Sequence, residues 1–216
     1  RNDRYSNLFR YDENISSAYI SYDRQWNDAI WSVIGVRGEY TDIKGDLRTT
    51  GETFRQSYFN VFPSASLMFD IAEGMHSISV DYAMGIERPF YSDLNPFETW
   101  TTENTFTSGN IRLGPSLSHE VTLTYALMFD YMVGVSYYRL SDAMFEYDEY
   151  IGDNIMKTSV GNFGTNDLVM FFLNLNQSLF NGIWQITVDA GADYESVQAN
   201  ISGDDMSYTV WSWSAG

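Results

Sequence analysis

The sequence contains no cysteine and only four prolines among its 216 residues. The lack of cysteine excludes disulfide frameworks, thiolate metal sites and cysteine nucleophiles. With little proline and no low-complexity tract, the composition is that of a folded protein. The sequence also lacks a run of about 18 apolar residues, which excludes a transmembrane helix but not spanning strands, whose residues alternate in polarity.

Positive charge is scarce along the chain. Lys and Arg total 12 against 29 Asp and Glu, which gives a net charge of -17. Binding to nucleic acid, or to an anionic membrane surface through a basic face, requires clustered Lys and Arg. We therefore expect no nucleic-acid partner.

The common catalytic and metal-binding motifs are also missing. No nucleophile elbow, phosphate-binding glycine loop or zincin motif occurs. His76 and His119 are far apart and belong to no metal-ligand pattern. The acidic stretch from Glu146 to Asp153 lacks the spacing of a defined calcium loop. We predict that the chain is not an enzyme and has no cofactor or metal, and no residue stands out as a ligand contact.

The sequence is rich in aromatic residues, at 17%, and in polar–apolar alternation. The clearest case covers residues 184–194, where the apolar set is Trp184, Ile186, Val188, Ala190, Ala192 and Tyr194. Because side chains alternate across a strand, this pattern places an apolar band on one face and polar groups on the other. Similar alternation at 77–86, 121–127 and 169–176 indicates further strands.

This alternation predicts nine strands, at 13–23, 29–40, 57–70, 75–87, 118–128, 131–141, 166–178, 183–197 and 206–216. Short connections near 25–28, 71–74, 129–130 and 179–182 alternate with mostly longer ones at 41–56, 87–117, 141–165 and 198–205. Short turns at one end and longer loops at the other are typical of outer-membrane barrels. We predict an all-β fold, an antiparallel up-and-down meander.

An amphipathic strand fits two environments, and alternation alone leaves both open. In a soluble sandwich the apolar face packs inward, whereas in a membrane barrel it meets lipid and the polar face lines an aqueous lumen. The long connection at 87–117 favours the barrel, because such a loop is uncommon in a small soluble domain. The alternative is a soluble or surface β-sandwich that binds carbohydrate through aromatic residues. Trp100, Trp184, Trp211 and Trp213 are candidates for a membrane-interface girdle, or, for some of them, for sugar stacking.

A series of short motifs between Arg37 and Tyr125 carries a family resemblance. They are Gly-Val-Arg-Gly-Glu-Tyr-Thr at 35–41, Tyr-Phe-Asn-Val-Phe-Pro-Ser at 58–64, His-Ser-Ile-Ser-Val-Asp-Tyr at 76–82, Arg-Pro-Phe-Tyr-Ser-Asp-Leu-Asn-Pro-Phe at 88–97, Gly-Asn at 109–110 and Ser-His-Glu-Val-Thr-Leu-Thr-Tyr at 118–125. Their order and spacing resembles the outer-membrane β-barrel family of Bacteroidetes, the barrel portion of TonB-dependent receptor-like transporters. In that family an Arg-Pro pair closes one strand, Leu-Asn-Pro-Phe opens a long loop and Gly-Asn-Pro precedes the next strand. Ile111 departs from the pattern, because proline is usual there.

The resemblance implies that residues 1–216 form part of the wall of a barrel of about 22 strands, with about nine strands and no plug domain. It implies the outer membrane of a Gram-negative bacterium, contact with outer-membrane lipid, and nutrient uptake by a full-length protein with a plug domain and a TonB complex as partners. The start at residues 1–5, with no initiating Met and no signal segment, is expected of a section of a longer protein. Its two terminal strands would expose unpaired backbone groups, so we expect the isolated chain to self-associate.

The resemblance also supplies the candidate site residues. These are Arg37, Glu39, Pro63, Arg88, Pro89, Leu94, Asn95, Pro96, Phe97, Gly109 and Asn110. We interpret Arg88-Pro89 as the end of a strand and residues 94–97 as an ordered turn within the long loop. Arg37 and Glu39 share one strand face, and they form either a luminal charge pair in contact with plug or substrate or a salt bridge within the wall.

Overall fold

The computed structural model of the chain describes residues 7–49, 51–72, 74–128, 130–152, 154–201 and 204–216. The predicted features at residues 1–5, Phe129 and Asp153 lie outside the described residues. Nowhere in the described ranges is there a helix whose length and apolar character would let it cross a membrane.

The regular structure of the described residues consists of strands. Their bounds are β1 (Phe9–Asn27), β2 (Ile30–Leu47), β3 (Glu52–Ile71), β4 (His76–Glu87), β5 (Thr99–Trp100), β6 (Thr105–Thr107), β7 (Ser116–Leu127), β8 (Tyr131–Ile151), β9 (Ile155–Leu179), β10 (Trp184–Ile201) and β11 (Asp204–Ala215). The long strands form one sheet in the order β1-β2-β3-β4-β7-β8-β9-β10-β11, each antiparallel to its neighbours. This up-and-down meander confirms the predicted fold class.

The two faces of the sheet differ in chemistry. Register places Leu67, Val80, Leu123, Val135 and Phe171 in one cross-strand row, and directly paired residues share a face. We call this apolar side the outer face. The opposite, inner face carries polar side chains such as those of Ser66, Asp81 and Thr122. The alternation in the sequence therefore corresponds to an apolar outer face and a polar inner face of the sheet.

The exposure of the outer face decides between the two environments left open by the sequence. In a sandwich, Val80, Leu123 and Ile186 would pack in one dry centre between stacked sheets. They are instead 40%, 45% and 43% exposed. An apolar surface this continuous needs an apolar partner outside the sheet, which is the situation of a membrane strand rather than of a sandwich core.

Three predicted connections are wrong. Residues 41–56, 141–165 and 198–205 are mostly strand. β2 runs on to Leu47 before β3 begins at Glu52, β8 reaches Ile151 before β9 begins at Ile155, and β10 reaches Ile201 before β11 begins at Asp204. On β2 the apolar residues change face at this point. Ile34 and Val36 are 58% and 42% exposed on the outer face, whereas Ile43 and Leu47 are buried on the inner face. A strand predicted from the apolar residues of one face therefore ends too early, at the point where the apolar residues move to the other face.

The predicted long connection at 87–117 is present as residues 88–115, and it contains β5 and β6, which the sequence did not predict. At the opposite end of the sheet the turns are short, such as that between Leu179 and Trp184. There Asn181 (φ 53°) and Gly182 (φ 88°) adopt left-handed conformations that suit Asn-Gly in a hairpin. We call these the loop end and the turn end of the sheet.

Candidate functional site

Residues 88–115 form a folded loop that is attached to the sheet at the loop end. Register between β9 and β10 stops at Gly164 and Ala199, so β9 continues beyond its partner strand. β6 pairs in parallel with this continuation, with Phe106 opposite Lys157. Hydrogen bonds from Ser108 N to Thr158 O (3.1 Å) and from Met156 N to Asn104 O (2.8 Å) extend the contact. The loop thereby satisfies backbone groups that would otherwise form an open edge.

The Leu-Asn-Pro-Phe and Gly-Asn segments meet inside this loop. Gly109 N donates to Asn95 O (2.8 Å), and Asn110 N donates to Asp93 O (2.6 Å). The Asn95 side chain accepts from Phe97 N (3.2 Å), as expected of Asn in a turn. A Cβ atom on Gly109 would lie 2.6 Å from the carbonyl oxygens of Asp93 and Asn95. Only glycine allows the two segments to approach this closely.

Leu94 and Pro96 complete the crossing of the two segments. Leu94 is fully buried, and the Pro96 carbonyl accepts from the Ser108 hydroxyl (3.0 Å). The buried leucine anchors the turn through its apolar side chain, while its neighbours supply backbone hydrogen bonds. Residues that the sequence analysis singled out by resemblance therefore form one compact unit.

Asn110 and Asn162 hold the end of the loop. The Asn110 side chain donates to Val160 O (3.0 Å) and accepts from Arg112 N (2.9 Å). Asn162, on β9, accepts from Gly114 N (2.8 Å) and donates to Gly114 O (3.1 Å) and Asp142 O (2.7 Å). Asn162 belongs to an Asn-Phe-Gly segment at 162–164 that weakly extends the family resemblance, but the sequence did not indicate a role for it in the loop, because its hydrogen-bond partners are distant along the chain.

The inner face of the sheet also contacts this loop, through β3. The side chain of Gln56, an inner-face residue of β3, donates to Ile111 O (2.6 Å). Ile111, where the resemblance leads one to expect proline, thus contributes its carbonyl group. Leu113 is fully buried beside it. The loop therefore lies over the inner face in addition to pairing with the edge of β9.

A cluster of charges on the inner face contains three of the candidate residues. β4 ends at Glu87, directly before Arg88 and the buried Pro89. Arg88 Nη2 lies 2.6 Å from Glu39 Oε2, and Arg37 Nε lies 3.3 Å from Glu39 Oε1. The two guanidinium groups share one carboxylate that is almost buried, so the cluster ties β2 to the start of the loop.

Two further interactions extend this cluster. Arg88 Nε lies 3.8 Å from Glu13 Oε1 on β1, and the Arg37 guanidinium lies over the Phe62 ring at 4.9 Å from its centroid. Pro63 lies apart from the cluster. It pairs with Val36 and so belongs to the outer face. Pro63 is therefore on the opposite side of the sheet from Arg37 and Glu39.

The loop and the β8–β9 hairpin enclose a cleft of about 420 Å³. Asn7 adds to the lining from the segment before β1. The loop and the hairpin contribute the other residues, which are Tyr91, Ser92, Asp93, Asn95, Phe97, Thr99, Thr107, Ser108 and Gly109 from the loop and Glu146, Thr158, Ser159 and Val160 from the hairpin. Asp93 and Glu146 are the charged groups of this lining. The cleft is therefore polar and acidic.

The other residues considered from the sequence lie elsewhere. His76 and His119 are on the outer face, where their Nδ1 atoms lie 2.7 Å and 2.9 Å from the hydroxyl oxygens of Tyr125 and Tyr82. Within the described ranges, no three His, Asp or Glu side chains come close enough together to hold a metal ion. Trp184, Trp211 and Trp213 are exposed on outer-face positions of β10 and β11.

Trp100 is the exception among the tryptophans. It lies in β5, within the loop, with its ring 4.8 Å from that of Phe106. The suggestion of a membrane girdle position is therefore wrong for this residue.

A model of the outer membrane protein β-barrel family matches residues 1–216. The chain belongs to this family. Among functionally curated proteins, none matches the sequence. Membership of the outer membrane protein β-barrel family locates the chain in the outer membrane.

Solved structures of low sequence identity share the fold of this family member. The siderophore receptor PirA from Pseudomonas aeruginosa aligns with a TM-score of 0.55 at 10% identity, over 97% of this chain and 50% of that one. The FrpB iron transporter from Neisseria meningitidis aligns with a TM-score of 0.57 at 12% identity, over 97% and 34%. The siderophore receptor PiuA from Acinetobacter baumannii aligns with a TM-score of 0.56 at 15% identity, over 92% of this chain and 28% of that one. The chain spans half or less of the length of these structures.

Family membership orients the sheet in the membrane. Short turns of outer-membrane barrels face the periplasm and longer connections face outside, so we infer from the long connection at 88–115 that the loop end, with the folded loop and the cleft, is extracellular. On β2 the apolar outer face extends from Ile30 to Tyr40, which agrees with the roughly 9–11 residues of a spanning strand. Beyond Tyr40 the outer face carries Asp42 and Lys44, which are 3.8 Å apart.

Proposed function

We propose that the chain is part of the barrel wall of an energy-coupled outer-membrane transporter or receptor for nutrient uptake. Membership of the outer membrane protein β-barrel family and the shared fold with receptor and transporter barrels support the proposal. The resemblance to barrels of Bacteroidetes transporters supports it from the sequence side.

The observation that carries the proposal is the position of the loop. Residues 88–115 are fixed over the inner face by Gln56 on β3 and by Asn162 on β9. A rigid polar structure held above a polar inner face suits the capture of a solute at the entrance of a lumen. An adhesin would instead be expected to present its contact surface away from the lumen.

The proposal includes the parts of the full-length protein beyond this chain. Residues 1–216 would be a partial barrel of about nine strands without a plug domain, and outer-membrane lipid would cover the outer face. A plug domain inside the barrel and a TonB complex would be its partners in the full-length protein. β1 and β11 end the strand order on either side, so the isolated chain would self-associate through these edges.

Uptake measurements in the natural host test the proposal. Three strains are compared: one without the gene, one with the gene restored, and one in which residues 93–110 of the restored gene are replaced by a Gly-Ser linker. Each is given labelled ferric siderophores, haem, peptides and oligosaccharides, with and without a protonophore. We expect one nutrient to accumulate only in the restored strain and only without the protonophore.

Other outcomes would refute the function in different ways. Uptake that depends on the gene but resists the protonophore would indicate a passive pore. If no nutrient depends on the gene while cell attachment or envelope integrity does, the barrel is an adhesin or structural protein. Full uptake with the linker variant would refute the role of the loop but leave transport intact.

A further inference from the structure

The extracellular cleft is built as a preformed cavity. Its volume of about 420 Å³ falls within the range of small-molecule sites, about 300–1,000 Å³. The Ser159 hydroxyl donates to Ser108 O (2.8 Å), and Ser108 N donates to Thr158 O (3.1 Å). These bonds join its two walls directly. A ligand entering the cleft would therefore meet groups that are already positioned.

The chemistry of the lining excludes several classes of ligand. None of the described residues that line the cleft is Lys, Arg or His, whereas Asp93 and Glu146 contribute carboxylates. A phosphate, a carboxylate or another anionic ligand would be repelled. An apolar ligand would remove water from polar groups of the lining, such as the Thr99 hydroxyl and the carboxylates of Asp93 and Glu146, without replacing its hydrogen bonds.

Hydroxyl side chains are the most frequent polar groups of the lining, among them Tyr91, Thr99, Thr107 and Thr158. The hydroxyls of Thr107 and Thr158 already donate to Thr99 O and to Asp148 Oδ1, so they are available to a ligand as acceptors. A hydroxyl group both donates and accepts, and a carboxylate accepts strongly from an O–H donor. The Tyr91 side chain is 65% exposed and presents a flat apolar ring with a polar tip. This combination matches a ligand that has many hydroxyl groups, weakly apolar ring faces and no charge.

We propose that the cleft binds a neutral oligosaccharide. The inference rests on the proposed function, since it names the substrate class that the extracellular loop of the transporter would capture. Asp93 and Glu146 accept hydrogen bonds from sugar hydroxyl groups, and the Tyr91 ring packs against a sugar ring. The absence of cations from the described lining is the feature that selects neutral over acidic sugars.

Calorimetric titration of the full-length protein in detergent micelles tests the site. The probes are maltohexaose, cellohexaose, xylohexaose and laminarihexaose, with an oligogalacturonate of the same length as the anionic comparison and oligolysine as the cationic one. We expect at least one neutral oligosaccharide to bind at micromolar to millimolar concentration. The oligogalacturonate, which carries a carboxylate on every sugar, should not bind.

Variants locate the binding in the cleft. Glu146→Gln and Tyr91→Ala should each weaken the affinity about tenfold, the loss expected for one charge-assisted hydrogen bond or one ring contact. Phe90→Ala is the matched control, because this neighbouring side chain is 76% exposed and does not line the cleft. Its affinity should equal that of the unchanged protein.

Three results would overturn the inference: no binding of any neutral oligosaccharide, preferential binding of oligolysine or oligogalacturonate, or an affinity that neither cleft variant changes. The uptake experiment separates this failure from a failure of the proposed function. Energy-dependent uptake of another nutrient, without sugar binding, would support the transporter and refute the sugar site. Sugar binding without energy-dependent uptake would support the site and refute the transporter.

Discussion

Replacing Asn162 by alanine should release the extracellular loop from the sheet without unfolding the sheet. Asn162 makes hydrogen bonds of 2.8 Å and 3.1 Å with the backbone of Gly114 and of 2.7 Å with Asp142 O. A typical hydrogen bond contributes about 0.5–1.5 kcal/mol, and a buried group left without a partner costs more. Because the bonds share one side chain and are not fully additive, we expect the attached state of the loop to lose about 2–3 kcal/mol.

Hydrogen exchange of the full-length protein in micelles measures this loss directly. When local opening limits exchange, a change of 2–3 kcal/mol accelerates it roughly 30- to 150-fold. The informative amides are those of Gly109, Asn110 and Gly114, which are hydrogen-bonded within the loop or to Asn162. Amides of β7 and β8 close to the turn end should keep their protection.

Asn176→Ala is the matched control for this experiment. Asn176 lies on the same strand, β9, but its side chain bonds to Asn174 and Thr187 near the turn end. This variant should leave exchange in the loop unchanged. Equal loop exchange in the Asn162 variant and the unchanged protein would refute the view that this side chain holds the loop.

The remaining predictions concern the loop crossing and two charged groups. Gly109→Ala should destabilise the loop by about 1–3 kcal/mol, because the added methyl group overpacks the crossing, and scanning calorimetry should show a lower thermal midpoint. Gly114→Ala is the control and should be tolerated, because its Cβ atom would lie 3.8 Å from the nearest atom. Glu39→Gln should destabilise the full-length protein by about 2 kcal/mol in urea titrations, since two arginines lose their shared carboxylate, while Asp12→Asn, in an exposed pair, should cost less than about 0.5 kcal/mol. A hydrogen bond from Arg55 lowers the pKa of Asp42, so its stabilisation should be complete above the ordinary aspartate pKa of about 3.9 and disappear as the pH falls through the lower folded value. Asp42→Asn should therefore flatten the acid limb of the stability profile, and an unchanged limb would contradict this.

The strands within the membrane could be predicted because their environment is uniform along the span. From Ile34 to Tyr40 on β2, Ile34, Val36 and Tyr40 lie on the apolar outer face, while Arg37 and Glu39 lie on the polar inner face, so the period of two is preserved. The prediction failed above Tyr40, where the outer face meets water and the apolar residues Ile43 and Leu47 move inward. Polar and apolar residues still alternate there, but the apolar residues lie on the inner face instead of the outer face.

The candidate site could be predicted only as a set of residues and not as an arrangement. Asn110 contacts Val160 across 50 positions of sequence, and Arg88 contacts Glu39 across 49. No local propensity specifies such pairs, because they form only when the sheet order brings β2, β4 and β9 to the same end. For the same reason, Asn162 and Gln56 could not be recognised as anchors of the loop.

The sequence by itself determined the strand order, the two-faced character of the sheet and the family, because these follow from alternation, turn residues and short motifs that act locally. The tertiary structure alone decided that residues 88–115 fold back over the inner face and enclose a cleft with the β8–β9 hairpin. That arrangement depends on the part of β9 between Ile155 and Gly164, which β10 leaves unpaired. It also depends on side chains distant in sequence, which satisfy the backbone groups of the loop. Such contacts become favourable only after the wall that supports them has formed.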